Sequence, residues 1–162
     1  MRTRPTIIFF SPAARPLPVL VSAWVAGKGI PSVTVGDPAQ IEAMALRALP
    51  ALVLVDGDGA ADEGRALCER LKADPYTAIV PVAFLADHHS ASSVHEAFRA
   101  GADEVLTPVF EPEEQRSRLE VLLTRTERNV SVHPSTRLPG TNEIERGIKR
   151  YMDAVQRVRA AA

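Results

Sequence analysis

Short apolar runs alternate along the chain with stretches whose apolar residues recur every three or four positions. Ile7 to Phe10 is a continuous apolar run, as expected of a strand buried on both faces. Leu17, Leu20, Val21, Trp24 and Val25 then fall at helical spacing, and Gly27 and Gly29 are expected to end that helix. Residues 32–35 form a short β-branched strand. Asp37 and Pro38 suit the cap and first position of a second helix, with Gln40 placed to close a capping box. Ile41, Met44 and Ala45 give that helix an inner face. Residues 52–55, Leu-Val-Leu-Val, are the strongest strand and stop abruptly at Asp56-Gly57-Asp58-Gly59. A helix is expected over about 63–72, ended by Asp74-Pro75. A strand over 80–85, a helix over 93–100 closed by Gly101, a strand over 104–107 and a helix over 112–125 complete the body.

Short apolar strands separated by helices imply an α/β fold, a parallel sheet covered by helices on both faces. Right-handed crossovers leave few topologies for it. In such sheets the working crevice lies at the carboxyl ends of the strands. That places Ser11, Asp56, Ala86, Asp87, Thr107 and Pro108 around it. After the body come a polar linker, 126–141, with Pro134, Pro139 and Gly140, and an amphipathic helix, 142–162. Ile144, Ile148, Tyr151, Val155 and Val158 form an a/d stripe on one face of that helix. An isolated helix cannot bury such a stripe, so it is expected to pack on a partner.

Composition narrows the picture. The 162 residues fit one domain of about 125 residues with a tail, and 46% apolar with 24% charged residues is ordinary for a globular chain. Cys68 is the only cysteine, which excludes an internal disulfide and a cysteine-based zinc site. No apolar run is long enough for a bilayer, and no signal-peptide pattern follows Met1, so a cytoplasmic protein with no membrane contact is expected. Net charge is −1, split into −4 over residues 1–125 and +3 over 126–162. Glu143, Glu145 and Asp153 interrupt the basic residues of the tail, which reads as a solvated face rather than a nucleic-acid surface.

Pro50-Ala51-Leu52-Val53-Leu54-Val55-Asp56 resembles the third strand of response-regulator receiver domains, which ends in the phosphoryl-accepting aspartate. Leu67 to Pro75 is similar to the family's following helix, Pro81 to Leu85 to its fourth strand, and Ala97 to Glu104 to the turn before its fifth. The resemblance spans about residues 5–125. It implies a CheY-like, flavodoxin-like three-layer sandwich with five parallel strands in the order 2-1-3-4-5, plus a C-terminal helical extension.

The family's chemical residues are largely replaced. Two acidic residues that help hold Mg²⁺ would follow the first strand; Ser11 and Pro12 stand there. A hydroxyl would follow the fourth strand; Ala86 stands there. A lysine would follow the fifth; Pro108 stands there. Asp56 remains. Phosphoryl transfer to a carboxylate brings two anions together and needs a cation to offset the charge. Mg²⁺ in turn needs several hard oxygen ligands, which Asp56 with Asp58 or Asp87 nearby supplies poorly. The resemblance therefore implies a degenerate, or pseudo-, receiver that signals through protein contacts without ordinary aspartate phosphorylation, is not an enzyme and uses no cofactor. The alternative is a receiver phosphorylated at Asp56 with Mg²⁺, controlling a diguanylate cyclase output. The expected contact surfaces are the fourth and fifth helices and the tail helix, toward a protein partner or a second copy.

His133 to Gly140 is similar to the segment that opens GGDEF diguanylate cyclase domains, matching at Thr136, Leu138 and Pro139. The helix over 142–162 then resembles the start of such a domain, without its catalytic signature. Other signals are weaker. Asp56, Asp58, Asp62 and Glu63 do not make an EF-hand, because Ala60, Ala61 and Leu67 occupy required positions. His88, His89 and His95 lack metal-site spacing and read as a solvated loop after the fourth strand. Cys68 reads as a small core residue. With Pro108 displaced by one from the family's proline, a cis bond into Val109 would cost about 3–4 kcal/mol, so Pro108–Val109 is expected to be trans.

Overall fold

Strands and helices alternate without exception through the body. The computed structural model describes residues 5–88, 90–130 and 141–161. In order they form β1 (Ile7–Phe10), α1 (Val19–Lys28), β2 (Ser32–Val35), α2 (Pro38–Arg47), β3 (Leu52–Asp56), α3 (Ala61–Ala73), β4 (Val82–Leu85), α4 (Ala91–Arg99), β5 (Glu104–Leu106), α5 (Pro112–Val130) and α6 (Thr141–Ala161). The sheet is parallel, in the order β2-β1-β3-β4-β5. This is the CheY-like, flavodoxin-like architecture expected from the sequence.

Side chains alternate across each strand, so the continuous apolar runs feed two separate cores. Ile8, Phe10, Val53, Val55, Val82, Phe84 and Val105 pack with Ile41 of α2, Leu67 and Leu71 of α3 and Ala97 of α4. Ile7, Phe9, Leu52, Leu54, Ala83, Leu85 and Leu106 pack with Trp24 and Val25 of α1 and Leu119 and Leu122 of α5. The register aligns Phe10 with Val55 and Asp56 with Leu85. The residues that leave β1, β3 and β4 therefore converge at one end of the sheet.

Several boundaries differ from the local sequence signals. Gly27 lies inside α1; Gly29 alone ends the helix, in the left-handed region at φ 64°, with its N–H on the Ala26 carbonyl. Asp37 caps α2 by accepting from the Ala39 N–H, without a reciprocal bond from Gln40. The capping box occurs instead at α4, between Ser90 and Ser93. β4 starts at Val82 rather than Val80, because the Val80 N–H is turned back onto the Thr77 carbonyl and Pro81 has no N–H to give. α5 continues to Val130, into residues expected as linker. Thr126 Oγ1 donates to the Ala51 carbonyl at 2.7 Å, which fastens the helix beyond its expected end.

The chain divides into two compact units, Met1–Thr126 and Glu127–Ala162. In the second, Ile148, Tyr151 and Val158 of α6 are exposed and Val155 is half-buried. The side chain of Ile144, the rest of the expected linker and the whole stretch His133 to Gly140 lie outside the described residues, as does His89. None of the described helices is long and apolar enough to cross a membrane.

Cys68 is fully buried in the α3 core, and burial pushes its thiol from the usual 9.0 up to about 11. The folded state thus disfavours the thiolate. Its contribution to stability is complete below pH 9 and is lost as pH rises toward 11. Urea midpoints measured across that range should fall more steeply in the wild type than in Cys68→Ala; parallel slopes would contradict this.

Candidate functional site

The crevice at the carboxyl end of the sheet is built around Asp56, the last residue of β3 and 4% exposed. Register brings the residue after Phe10 beside it, and Ser11 is itself buried. The Ser11 hydroxyl donates to Asp56 Oδ2 at 3.1 Å. The Gly59 N–H donates to Asp56 Oδ1 at 2.9 Å. A third donor, Arg15 Nη1, reaches Oδ1 at 3.1 Å and forms an ion pair with it. The carboxylate is therefore held by a hydroxyl, a backbone amide and a guanidinium.

Arg15 did not figure among the residues expected at the crevice. It is the lone Lys or Arg between Pro5 and Lys28, four residues past Ser11. That isolation in the loop after the first strand was the available signal. The loop delivers it by an uncommon backbone path. The Ala14 N–H bonds the Ser11 carbonyl at 3.0 Å, Ala14 takes φ 53°, and the Arg15 N–H bonds Ser11 Oγ at 3.0 Å. Positive φ is unusual for alanine. Gly59 is needed on the opposite wall, where a Cβ would lie 2.6 Å from Asp56 Oδ2 and 3.2 Å from Arg15 Nη1.

The other expected positions are dispersed. Pro12 is exposed and lies against Gly36. Ala86 uses its N–H on the Leu106 carbonyl and presents only a methyl group. Pro108 and Val109 are exposed, and the bond between them is trans, as expected. Asp58 ties two loops together: its carboxylate accepts from the backbone N–H groups of Asp87 at 2.7 Å and His88 at 3.1 Å. A cavity of about 30 Å³, roughly one water, lies between Phe9, Arg15, Asp56, Asp58, Leu85 and Asp87.

A CheY-like fold implies a divalent cation at this crevice, and the residues present do not fit one. Ser11 and Pro12 contribute no carboxylate. Asp56 is already paired with Arg15, and Asp58 caps the neighbouring loop. Among the described residues, no three metal-binding side chains are grouped to hold an ion. His88 is exposed and His95 lines a different surface.

That second surface is a groove of about 610 Å³ between α4, β5 and α5. Phe98 and Val109 are exposed on it. Arg118 spans its floor, bonded to Glu104 at 3.0 Å and Glu114 at 2.9 Å, with its Cζ 4.0 Å from the centre of the Phe110 ring. These are the helices read from the sequence as contact surfaces.

No protein-family model matches the chain. Over 87 residues it is 34% identical to the DNA-binding dual master transcriptional regulator RpaA of Synechocystis sp.. That match covers 54% of this chain, which spans about a third (36%) of that relative's length. Among solved structures it is similar to a response regulator from Thermotoga maritima, with a TM-score of 0.60 and 17% identity over 75% of this chain and 99% of that one. The chemotaxis response regulator CheY4 of Vibrio cholerae aligns with a TM-score of 0.58 and 18% identity, over 74% of this chain and 99% of that one. A two-component response regulator from Clostridium difficile gives 0.59 and 15% identity over 75% and 97%. At these identities the likeness shows the fold alone.

Proposed function

We propose that this receiver-fold chain is a pseudo-receiver signalling module, working through protein contacts without aspartate phosphorylation. The observation that carries the reading is the state of the Asp56 carboxylate. Ser11, Arg15 and Gly59 occupy it, and the cation ligands, hydroxyl and lysine of a phosphorylatable site are replaced by Ser11, Pro12, Ala86 and Pro108. An incoming phosphoryl group would meet a carboxylate already paired with a guanidinium and bonded to two further donors.

The reading assigns output to surfaces rather than to chemistry. The groove with Phe98 and Val109, and the exposed stripe Ile148, Tyr151 and Val158 on α6, are the contact faces for a protein partner or a second copy. Ile144 and the similarity of His133 to Gly140 to a GGDEF opening belong to the same reading. A diguanylate cyclase output belongs to the alternative, phosphorylated receiver. No cofactor, nucleic acid or membrane contact is part of the pseudo-receiver reading; the relative's DNA binding is a property of that longer protein.

The test is incubation with Mg²⁺ and acetyl phosphate, and separately with beryllofluoride, followed by intact-mass measurement and fluorine NMR. No stoichiometric adduct is expected. An adduct that disappears in Asp56→Asn would overturn the proposal and favour a phosphorylated receiver. The position of Asp56 at the end of β3, with Asp58 and Asp87 lining the same cavity, is what that second reading has in its favour.

A further inference from the structure

We infer that Arg15 is a tethered counter-ion that takes the cation's place in the crevice and fixes it in a charge-neutralised state independent of divalent ions. This deepens the reading of Asp56 as a non-accepting carboxylate and rests on it. Three features carry the inference.

The first is the mounting of the side chain. Ser11 accepts from the Arg15 N–H through Oγ and donates from the same hydroxyl to Asp56 Oδ2, so one buried group orients both partners. The left-handed Ala14 is held by the turn that closes on the Ser11 carbonyl. Strain of this kind persists where the surroundings over-determine it. Here it directs Arg15 at Asp56.

The second is fit. The Gly59 wall leaves no space for a methyl group beside either Asp56 Oδ2 or Arg15 Nη1. A guanidinium fills the volume from solvent: the Arg15 side chain is 46% exposed, while that of Asp56 is 6% exposed. The third is charge. The nearly buried carboxylate receives a full positive charge at hydrogen-bond distance, together with two neutral donors. Mg²⁺ needs a near-octahedral set of oxygen ligands, which this crevice does not supply. Arg15 supplies the same charge covalently attached, so the loop between β1 and α1 does not answer to the ion.

The prediction is read by thermal unfolding in EDTA and in millimolar MgCl₂, without any phosphodonor. Wild-type Tm should be the same in both. Arg15→Ala should lower Tm by about 2–4 °C, in EDTA and in Mg²⁺ alike. Arg15→Ala combined with Asp56→Asn should lose less than Arg15→Ala alone, because no nearly buried charge is then left unpaired. Arg15→Lys should keep most of the wild-type Tm and its indifference to Mg²⁺, and it serves if the alanine variant fails to fold. A Mg²⁺-dependent Tm in the wild type, an unchanged Tm in Arg15→Ala, or a double variant that loses as much as Arg15→Ala would each overturn the inference; so would a lysine variant that responds to Mg²⁺. Because no phosphodonor is present, these outcomes are separate from adduct formation. An Asp56 adduct in the wild type with an ion-independent Tm would remove the pseudo-receiver reading and leave the counter-ion in place.

Discussion

Gly64→Ala is expected to destabilise the body by about 2–3 kcal/mol, although alanine is the better helix former by about 1 kcal/mol. Gly64 lies in the first turns of α3, where the helix passes over β3. A Cβ built there would be 2.3 Å from Val55 Cγ1 and 3.4 Å from Phe84 Cε1. Val55 has no exposed surface and sits between β1 and β4 partners, Phe10 and Phe84. A β-branched side chain so enclosed has little rotamer freedom to yield. The helix must then lift from the sheet and loosen Leu67 and Leu71, which share that core. Urea unfolding reads the result. Combining Gly64→Ala with Val55→Ala should cost less than the sum of the single losses, because the truncated Val55 makes room for the new methyl group. A stabilised Gly64→Ala would mean that α3 shifts freely along the sheet. The close approach matters to the crevice because α3 begins at Ala61, immediately after the loop that carries Gly59.

Strands β1, β3 and β4 were legible because a strand covered on both faces is apolar throughout, whereas β2, at the sheet edge and mostly exposed, showed only through its β-branched residues. Asp56 was legible because it is where the apolar run of β3 stops. Which strand residue faces which core was not, since Ile7 and Ile8 look alike and only the sheet register separates them. Ser11 was read as a missing carboxylate, and it proves to be a buried donor that organises the loop. Arg15 was missed because its partner lies 41 residues away, and because it is aimed by a left-handed alanine that no local rule anticipates. Thr126 shows the same limit. Its hydroxyl finds the Ala51 carbonyl 75 residues away, so α5 outlasts the apolar pattern that announced it. Local signals also misled at Gly27, which lies inside α1, and at Gln40, which makes no reciprocal cap bond.

Lys72→Met is expected to cost about 2–4 kcal/mol, with the apolar stem retained so that the loss reports the ammonium group. Lys72 Nζ donates to the Ala78 carbonyl at 3.1 Å, the Val80 carbonyl at 2.7 Å and Asp103 Oδ2 at 2.8 Å. The same Asp103 oxygen accepts from the Val82 N–H at 2.9 Å. One side chain thus ties the end of α3 to the turn before β4 and to the lead-in to β5. Its stem is packed as well: a Cβ on Gly101, which holds φ 103°, would lie 2.9 Å from Lys72 Cγ. Removing the charge leaves two carbonyls without their donor and Asp103 with only the Val82 N–H, and an abandoned part-buried acceptor costs more than a formed bond contributes. Lys72 and Asp103 keep 20% and 26% of their side-chain surface exposed, so water relieves part of the penalty and the figure stays below that of a fully buried pair. The Arg70–Glu42 pair is the internal control. It lies on the surface at 49% and 31% exposure, and Arg70→Ala should change stability by less than about 1 kcal/mol. Denaturant midpoints for Lys72→Met, Asp103→Asn and Arg70→Ala should rank in that order of loss. The asparagine falls between because it still accepts from Val82 while losing the ion pair. Equal losses at Lys72 and Arg70 would show that the three-way junction contributes no more than a surface contact. The receiver-fold body would then owe the placing of β4 and β5 to its apolar cores alone.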